Sequence, residues 1–311
     1  MKPLQPITRR QAIKGIAVIG SALFAGQLSG IVLGAEAPPP GAGFLVEGKG
    51  TSPDYSIPAL VEAVFRAASG IGNFISRGDV VVVKPNISWA RGPELGANTH
   101  PEVLRSVVKL CFEAGARKVR IFDHPVHDPK RCFALSGALQ VAEETGADLV
   151  FPRSALMRNM RIRGARVETW PVFTPLVEAD KLINIPVAKH HSLSGLTLGM
   201  KNWIGAVGGP RWRLHQDINQ SIVDLARFFN PALTLIDAIR IMTRNGPSGG
   251  KPEYVTKKHT LILSNDPVGA DSAAARLFGK DPKDLGYIVL GEKWGLGSSD
   301  PDGLSVQKVE V

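Results

Sequence analysis

Groups able to bind anions, move protons or hold a metal recur at a few short stations in this sequence. They are Lys84-Pro85-Asn86, the run Asp123-His124-Pro125-Val126-His127-Asp128, Lys189-His190-His191, Lys201-Asn202, Asp237, Asp266 and Asp271. Lysine supplies a compact, strongly hydrated positive charge, and histidine a proton donor or acceptor near neutral pH. Lys84, Asn86, Lys189, Lys201 and Asn202 are therefore the candidates for cradling a phosphate, sulfonate or carboxylate, with His190 or His191 to move a proton. Asp237, Asp266 and Asp271 would orient a lysine or bind a hard cation, and Asp237 joins the two histidines as a candidate for the chemistry itself. Asp266 stands before Pro267, which suits a helix N-cap equally well. Asp123, His124, His127 and Asp128 carry the right donors for a divalent metal, in a proline-containing loop rather than at helical spacing. Whether a metal is bound stays open at this point.

Each station is placed by the element before it. Strand-like apolar runs fall at residues 79–84, 118–122, 148–151, 181–185, 233–236 and 260–263, and helix-like amphipathic runs at 99–114, 134–145, 217–229 and 267–278. The run Asp79 to Lys84 is β-branched through four consecutive valines, as a strand buried on both faces requires. Thr99 and Glu102 have capping-box spacing ahead of the first of these helices. This alternation predicts an α/β fold: a mainly parallel sheet covered by helices on both faces, in a single globular domain over residues 59–311. Ligands of such sheets bind beyond the carboxyl ends of the strands. Lys84, His190, Lys201 and Asp266 are accordingly expected to line one cleft.

Composition narrows the function classes. The chain has 311 residues, 44% apolar and 6% aromatic, with a formal charge of +9, which excludes disorder and a multispan membrane protein. Residues 1–37 read as a twin-arginine signal, with Arg9-Arg10 and Lys14 ahead of an apolar run broken by Gly20, Gly26 and Gly30. The chain is therefore expected in the periplasm or outside the cell after passage through the twin-arginine translocase, or tethered to the membrane if the signal is uncleaved. Residues 38–58, rich in proline and glycine, read as a linker. Arg153, Arg158, Arg161, Arg163 and Arg166 lack interleaved aromatics, so they read as a solvated hairpin or helix face rather than a nucleic-acid platform. Cys111 and Cys132 are too few for a cluster, and Cys111 falls on an apolar helical stripe, a packing role. Phosphate-loop, dinucleotide-binding and nucleophile-elbow motifs are absent from the sequence.

The same stations resemble a known family, domain of unknown function 362. The resemblance rests on VVVKPN at 81–86, Thr99-His100-Pro101, IPVAKHHSLSGLTLGMKNWIG at 185–205, IDAIRIM at 236–242 with Gly246-Pro247 beyond it, and SNDPVGAD at 264–271. It implies an α/β fold and the position of the site but no reaction. It also implies an iron-sulfur association through a ferredoxin-like cysteine segment carried by many members. This chain lacks that segment, so no cysteine-ligated cluster is expected from it alone, and the cofactor is left unassigned. Two readings stand: an exported enzyme acting on a small anionic substrate, or a non-catalytic binding or accessory protein of a redox complex or cofactor. Buried, shifted lysines or histidines favour the first; an exposed apolar patch near Trp203 and Trp212 favours the second.

Overall fold

The computed structural model describes residues 43–311, so the signal at 1–37 and the opening of the linker lie outside the described residues. The strands are β1 (Phe44–Lys49), β2 (Val80–Pro85), β3 (Lys118–Phe122), β4 (Asp148–Val150), β5 (Met157–Arg161), β6 (Thr169–Phe173), β7 (Lys181–Ile185), β8 (Val187–His191), β9 (Gly195–Thr197), β10 (Leu233–Met242), β11 (Val255–Ser264) and β12 (Ser305–Glu310). The helices are α1 (Ile57–Ala67), α2 (Pro101–Glu113), α3 (Pro129–Leu135), α4 (Ala138–Thr145), α5 (Thr174–Val177), α6 (Ile218–Phe229), α7 (Pro267–Arg276) and α8 (Gly286–Lys293). The sheet runs β12-β1-β11-β10-β7-β2-β3-β4, with β8 paired to β10 and β9 to β8. Its half from β10 to β4 is parallel, whereas β11 runs antiparallel between β10 and β1.

Alternation along the central strands sends side chains to two cores. Val81 and Val83 join Leu104, Val107 and Cys111 of α2 on one face; Val82 joins Ile222, Leu225 and Phe229 of α6 on the other. Each fully buried valine of β2 contributes on the order of 1.5–3 kcal/mol. Lys84 shares the pleat phase of Val82, so the sheet directs it toward the face covered by α6 and the turn Met200–Ala206.

Several boundaries differ from expectation for identifiable reasons. Residues 44–49, assigned to a linker by their proline- and glycine-rich surroundings, form β1 inside the sheet, held by β11 and β12. The capping box at Thr99 does not form: His100 caps α2 by accepting from the Glu102 N–H, while the Thr99 hydroxyl is taken by Ile185 O and Asn86 N. The 134–145 run breaks at Gly137, left-handed at φ 82°, into the end of α3 and α4. The five arginines lie exposed along the β5–β6 hairpin and its flanks, as expected. Cys111 and Cys132 are both buried and free. No helix among the described residues is long and apolar enough to cross a membrane.

Candidate functional site

The β2–β7 ladder ends at Pro85 and Ile185, and Pro186, with no N–H to give, lets β8 leave β2 and pair again with β10. The gap opened beyond β2 is filled by polar side chains. Lys84, wholly buried, donates to Asp123 Oδ1 at 2.8 Å, Pro85 O at 2.8 Å and Asn202 Oδ1 at 3.1 Å. Asn202 Oδ1 also accepts from Asn86 Nδ2 at 2.9 Å, and Asn86 Oδ1 accepts from Lys189 Nζ at 2.9 Å. Lys189 donates once more, to Ala97 O at 2.5 Å. Asp123 is satisfied on both oxygens, accepting from the Ile87 and His124 amides as well as from Lys84. Gly205 covers this pair, and a Cβ there would collide with Asp123 and approach Lys84 Nζ to 2.9 Å. Burial pulls the Lys84 ammonium down and Asp123 raises it again; Lys189 is lowered to about 7 by burial and by its neighbour Lys201.

Above this network lies a pocket of about 420 Å³. Its floor holds Lys189, Lys201, Asn86, Asn202, His191 and Thr197; Arg211 and His215 stand at one side, and Trp89, Trp212, Val126 and Ile204 form apolar wall. No aspartate or glutamate lines it. Lys201 projects from the turn Met200–Ala206, whose entry is pinned by Asp271 accepting from Gly199 N at 2.6 Å and Met200 N at 3.0 Å. Lys201 is 7% exposed, and among the described residues its Nζ has no hydrogen-bond or salt-bridge partner; burial lowers it to about 7. Arg211 is anchored through Nη1 and Nη2 on His124 O at 2.8 Å and Pro125 O at 3.1 Å.

The two pocket imidazoles carry opposite tautomers. His191 Nδ1 accepts from the Leu193 and Ser194 amides at 3.1 and 3.3 Å, so a neutral ring bears its proton on Nε2. His215 Nδ1 meets Arg211 O at 3.0 Å, which only accepts, so its Nε2 holds the lone pair. The rings stack at 6.2 Å and 20°. Burial, then the charge of Lys201, lowers His191 to about 3, so it stays neutral through the physiological range. Trp89 Nε1 and Thr197 Oγ1, on two of the lining residues, are buried without partners.

Of the residues expected to share a cleft, Lys201, Lys189, His191, Asn86 and Asn202 are brought together, with Lys84 sealed behind them. His190 and Asp266 are elsewhere. His190, adjacent to His191 on a strand, points to the other side, accepts from Gly246 N and borders a separate hollow with Thr243 and Lys258. Asp266 caps α7 through Gly269 N and binds Ser298 N. Asp237 is buried within β10, accepts from His100 N and Ile239 N, and is raised to about 6 by burial. Asp271, raised to about 7 by burial, supports Lys201 from behind. The metal candidates are dispersed: Asp123 pairs with Lys84, His124 donates to Val207 O, His127 accepts from Ala90 N and packs on Trp89, and exposed Asp128 caps α3. Among the described residues no group of three such ligands gathers. Arg211, His215, Trp89 and Thr197 line the pocket without being among the sequence-predicted site residues; the cluster Pro210-Arg211-Trp212-Arg213-Leu214-His215 is the available signal for Arg211 and His215.

Residues 81–276 match the family described as Domain of unknown function (DUF362). The chain belongs to this family. Every pocket residue named above lies within the matched DUF362 segment, whereas β1, α1, α8 and β12 lie outside it. A relative, the thylakoid-associated protein sll1697 of Synechocystis sp., is 28% identical over 256 residues, covering 78% of this chain and 76% of its own. Among solved structures, the lactate racemase apoprotein from Thermoanaerobacterium thermosaccharolyticum aligns at 12% identity and a TM-score of 0.45, over 75% of this chain. This chain spans 56% of that racemase.

Proposed function

We propose that this DUF362 protein is an enzyme acting on a small carboxylate- or phosphate-bearing molecule held in the pocket beyond β2. The observation that carries the reading is the donor excess of the wall. Lys201, Arg211 and the His191 Nε2–H are donors on lining residues, Lys189 adds charge, and no acidic side chain lines the pocket to meet them. Buried donors left unpaired are costly, and an acceptor-rich ligand relieves that cost. A partly enclosed pocket also strengthens each charge–charge contact beyond its worth on an open surface. Shifted lysines and a neutral imidazole pair beside them favour chemistry over storage.

The accessory reading draws on one feature, the pocket mouth, where Trp212 is 66% and Val126 58% exposed. Trp203 does not contribute to such a patch: it is buried and stacks on Phe229 at 4.8 Å. The apolar mouth is small and continuous with the pocket, which suits the covering of a ligand. Export remains part of the proposal and rests on Arg9-Arg10 in the sequence; exchanging both for lysine should retain the protein in the cytoplasm, as read by cell fractionation.

A thermal-shift series tests the site. Small carboxylates and phosphates should stabilise the protein, by about 2.7 kcal/mol at a hundredfold excess over Kd, and neutral or cationic analogues should not. Affinity should weaken as pH rises above about 7, because Lys201 loses its proton there. Stabilisation by neutral compounds alone would overturn the reading.

A further inference from the structure

The three lysines of the site are held in different ways. Lys84 meets three acceptors and Lys189 two, whereas Lys201 Nζ meets none among the described residues, although its side chain lines the pocket. A permanently charged ammonium would be stabilised by a counter-ion or an acceptor, and the pocket wall has no carboxylate to offer. The arrangement suits a free amine with its lone pair turned into the cavity. Around it stand an imidazole that donates from Nε2, an imidazole whose Nε2 accepts, and the unpartnered hydroxyl of Thr197. Lys201 lies close enough to both rings for its charge to act on each.

We infer that Lys201 is a nucleophile that forms an imine with a carbonyl-bearing carboxylic acid, the carboxylate resting on Arg211 and the carbonyl oxygen on the His191 Nε2–H. The inference rests on the anionic reading of the pocket and narrows its substrate to oxo acids. Arg211 uses only two of its five N–H donors on backbone carbonyls, so it keeps donors for a ligand. In the step itself the Nζ lone pair adds to the carbonyl carbon while the carbonyl π pair moves to oxygen. One Nζ proton passes to that oxygen, giving a carbinolamine. His215 Nε2 takes the second and returns it to the departing hydroxyl, so both amine protons leave with the carbonyl oxygen as water. The product is a C=N bond, formed without oxidant or reductant. The reaction favours an amine that is free near neutral pH, and desolvation supplies that state. Burial lowers Lys201 well below an ordinary lysine, which enlarges its free-base share near neutral pH.

Reductive trapping tests this on the full chain. The protein is incubated with glyoxylate or pyruvate at pH 7 in the presence of cyanoborohydride and then mapped by peptide mass spectrometry. A carboxymethyl or carboxyethyl group should accumulate on Lys201 at least tenfold faster than on any exposed lysine, and labelling should slow as pH falls below 7. Glycolate and lactate, which lack the carbonyl, should raise thermal stability and protect Lys201 without being trapped. Lys201→Met should remove the label while leaving the far-ultraviolet circular dichroism unchanged. Labelling spread evenly over surface lysines, or confined to Lys189, would overturn the imine. Stabilisation by glycolate and glyoxylate without trapping would overturn it too and leave the anion reading standing. Absence of both stabilisation and trapping would remove both.

Discussion

Lys84 and Lys201 lie at the same end of one sheet and are both almost wholly buried, Lys84 bonded to Asn202 and Lys201 next to it in the chain, yet their ammonium groups are met differently. Lys84 is closed in by Asp123, Pro85 O and Asn202, so its charge is answered atom by atom. Lys201 sits one layer further out on a turn held by Asp271, and its Nζ is left to the cavity. Residue type and burial are the same; acceptor count separates them. A buried lysine whose acceptors are filled is held in the scaffold, whereas one without them keeps its donors free for what enters the cavity.

The largest effect that would break this comparison is expected at Lys84. Lys84→Met leaves Asp123 buried with no cation and should cost on the order of 3–5 kcal/mol in chemical denaturation. Replacing both partners, as Lys84→Met with Asp123→Leu, should recover most of that loss. If the single variant were as stable as the parent, the sealed network would not be structural.

Lys201→Met should move stability the other way. Its folded pKa, about 7, lies below the 10.5 of an unperturbed lysine, so the unfolded chain holds the proton more tightly. The parent therefore gains stability as pH rises from about 7 toward 10.5, and below that window the buried amine carries its full cost. The variant should be more stable by on the order of 2 kcal/mol near pH 6, with the advantage shrinking toward pH 10.5. Destabilisation comparable to that of Lys84→Met would place Lys201 in the scaffold.

Much of this scaffold was legible because it depends on local pattern. Four consecutive β-branched valines favour a strand covered on both faces, and the runs at 118–122 and 181–185 match β3 and β7. What one sequence conceals is who answers whom. Lys84 and Asp123 are 39 residues apart, and their meeting depends on the β2–β3 register that sets Val83 beside Ile121. A lysine facing a ligand and a lysine answered by a carboxylate look the same before that register is known. His190 and His191 are indistinguishable by type, and only the pleat of β8 decides which one enters the pocket. Asp266 carried its capping role openly in Asp266-Pro267, whereas Arg211 and His215 lie on an irregular turn, Arg211–Asp217, with no periodic signal. β1 went unread because the glycines and prolines before it outweighed six residues whose burial comes from β11 and β12, more than two hundred positions away.

A smaller effect is expected at Asp271, which ties the two regions together. Its folded pKa, about 7, is raised from 3.8 by burial, so its contribution is complete below pH 3.8 and is lost as pH rises through 7. Asp271→Asn keeps one acceptor for Gly199 or Met200 and should cost about 1 kcal/mol near pH 5, with the difference narrowing toward pH 8. It should also slow trapping of Lys201 by glyoxylate, because the turn that aims the amine is loosened. An unchanged trapping rate would mean that the turn holds its shape without Asp271.

The smallest effect on stability, and the sharpest on the division between floor and mouth, is expected at Trp212. The side chain is 66% exposed and has its apolar face beside the pocket entrance with Val126. Trp212→Ala should change folding stability by no more than about 0.5 kcal/mol, since exposed side chains carry little of the fold. If the floor binds the anion and the mouth covers the remainder, the substitution should weaken binding of a ligand with an aromatic body, such as benzoate, by about fivefold, an aromatic contact being worth about 1 kcal/mol. Acetate, which ends before the mouth, should bind equally to both forms, as calorimetry would read. Equal losses for acetate and benzoate would place Trp212 in the floor's architecture, and no loss for either would leave the mouth free for a protein partner, the one result that favours the accessory reading over the enzyme.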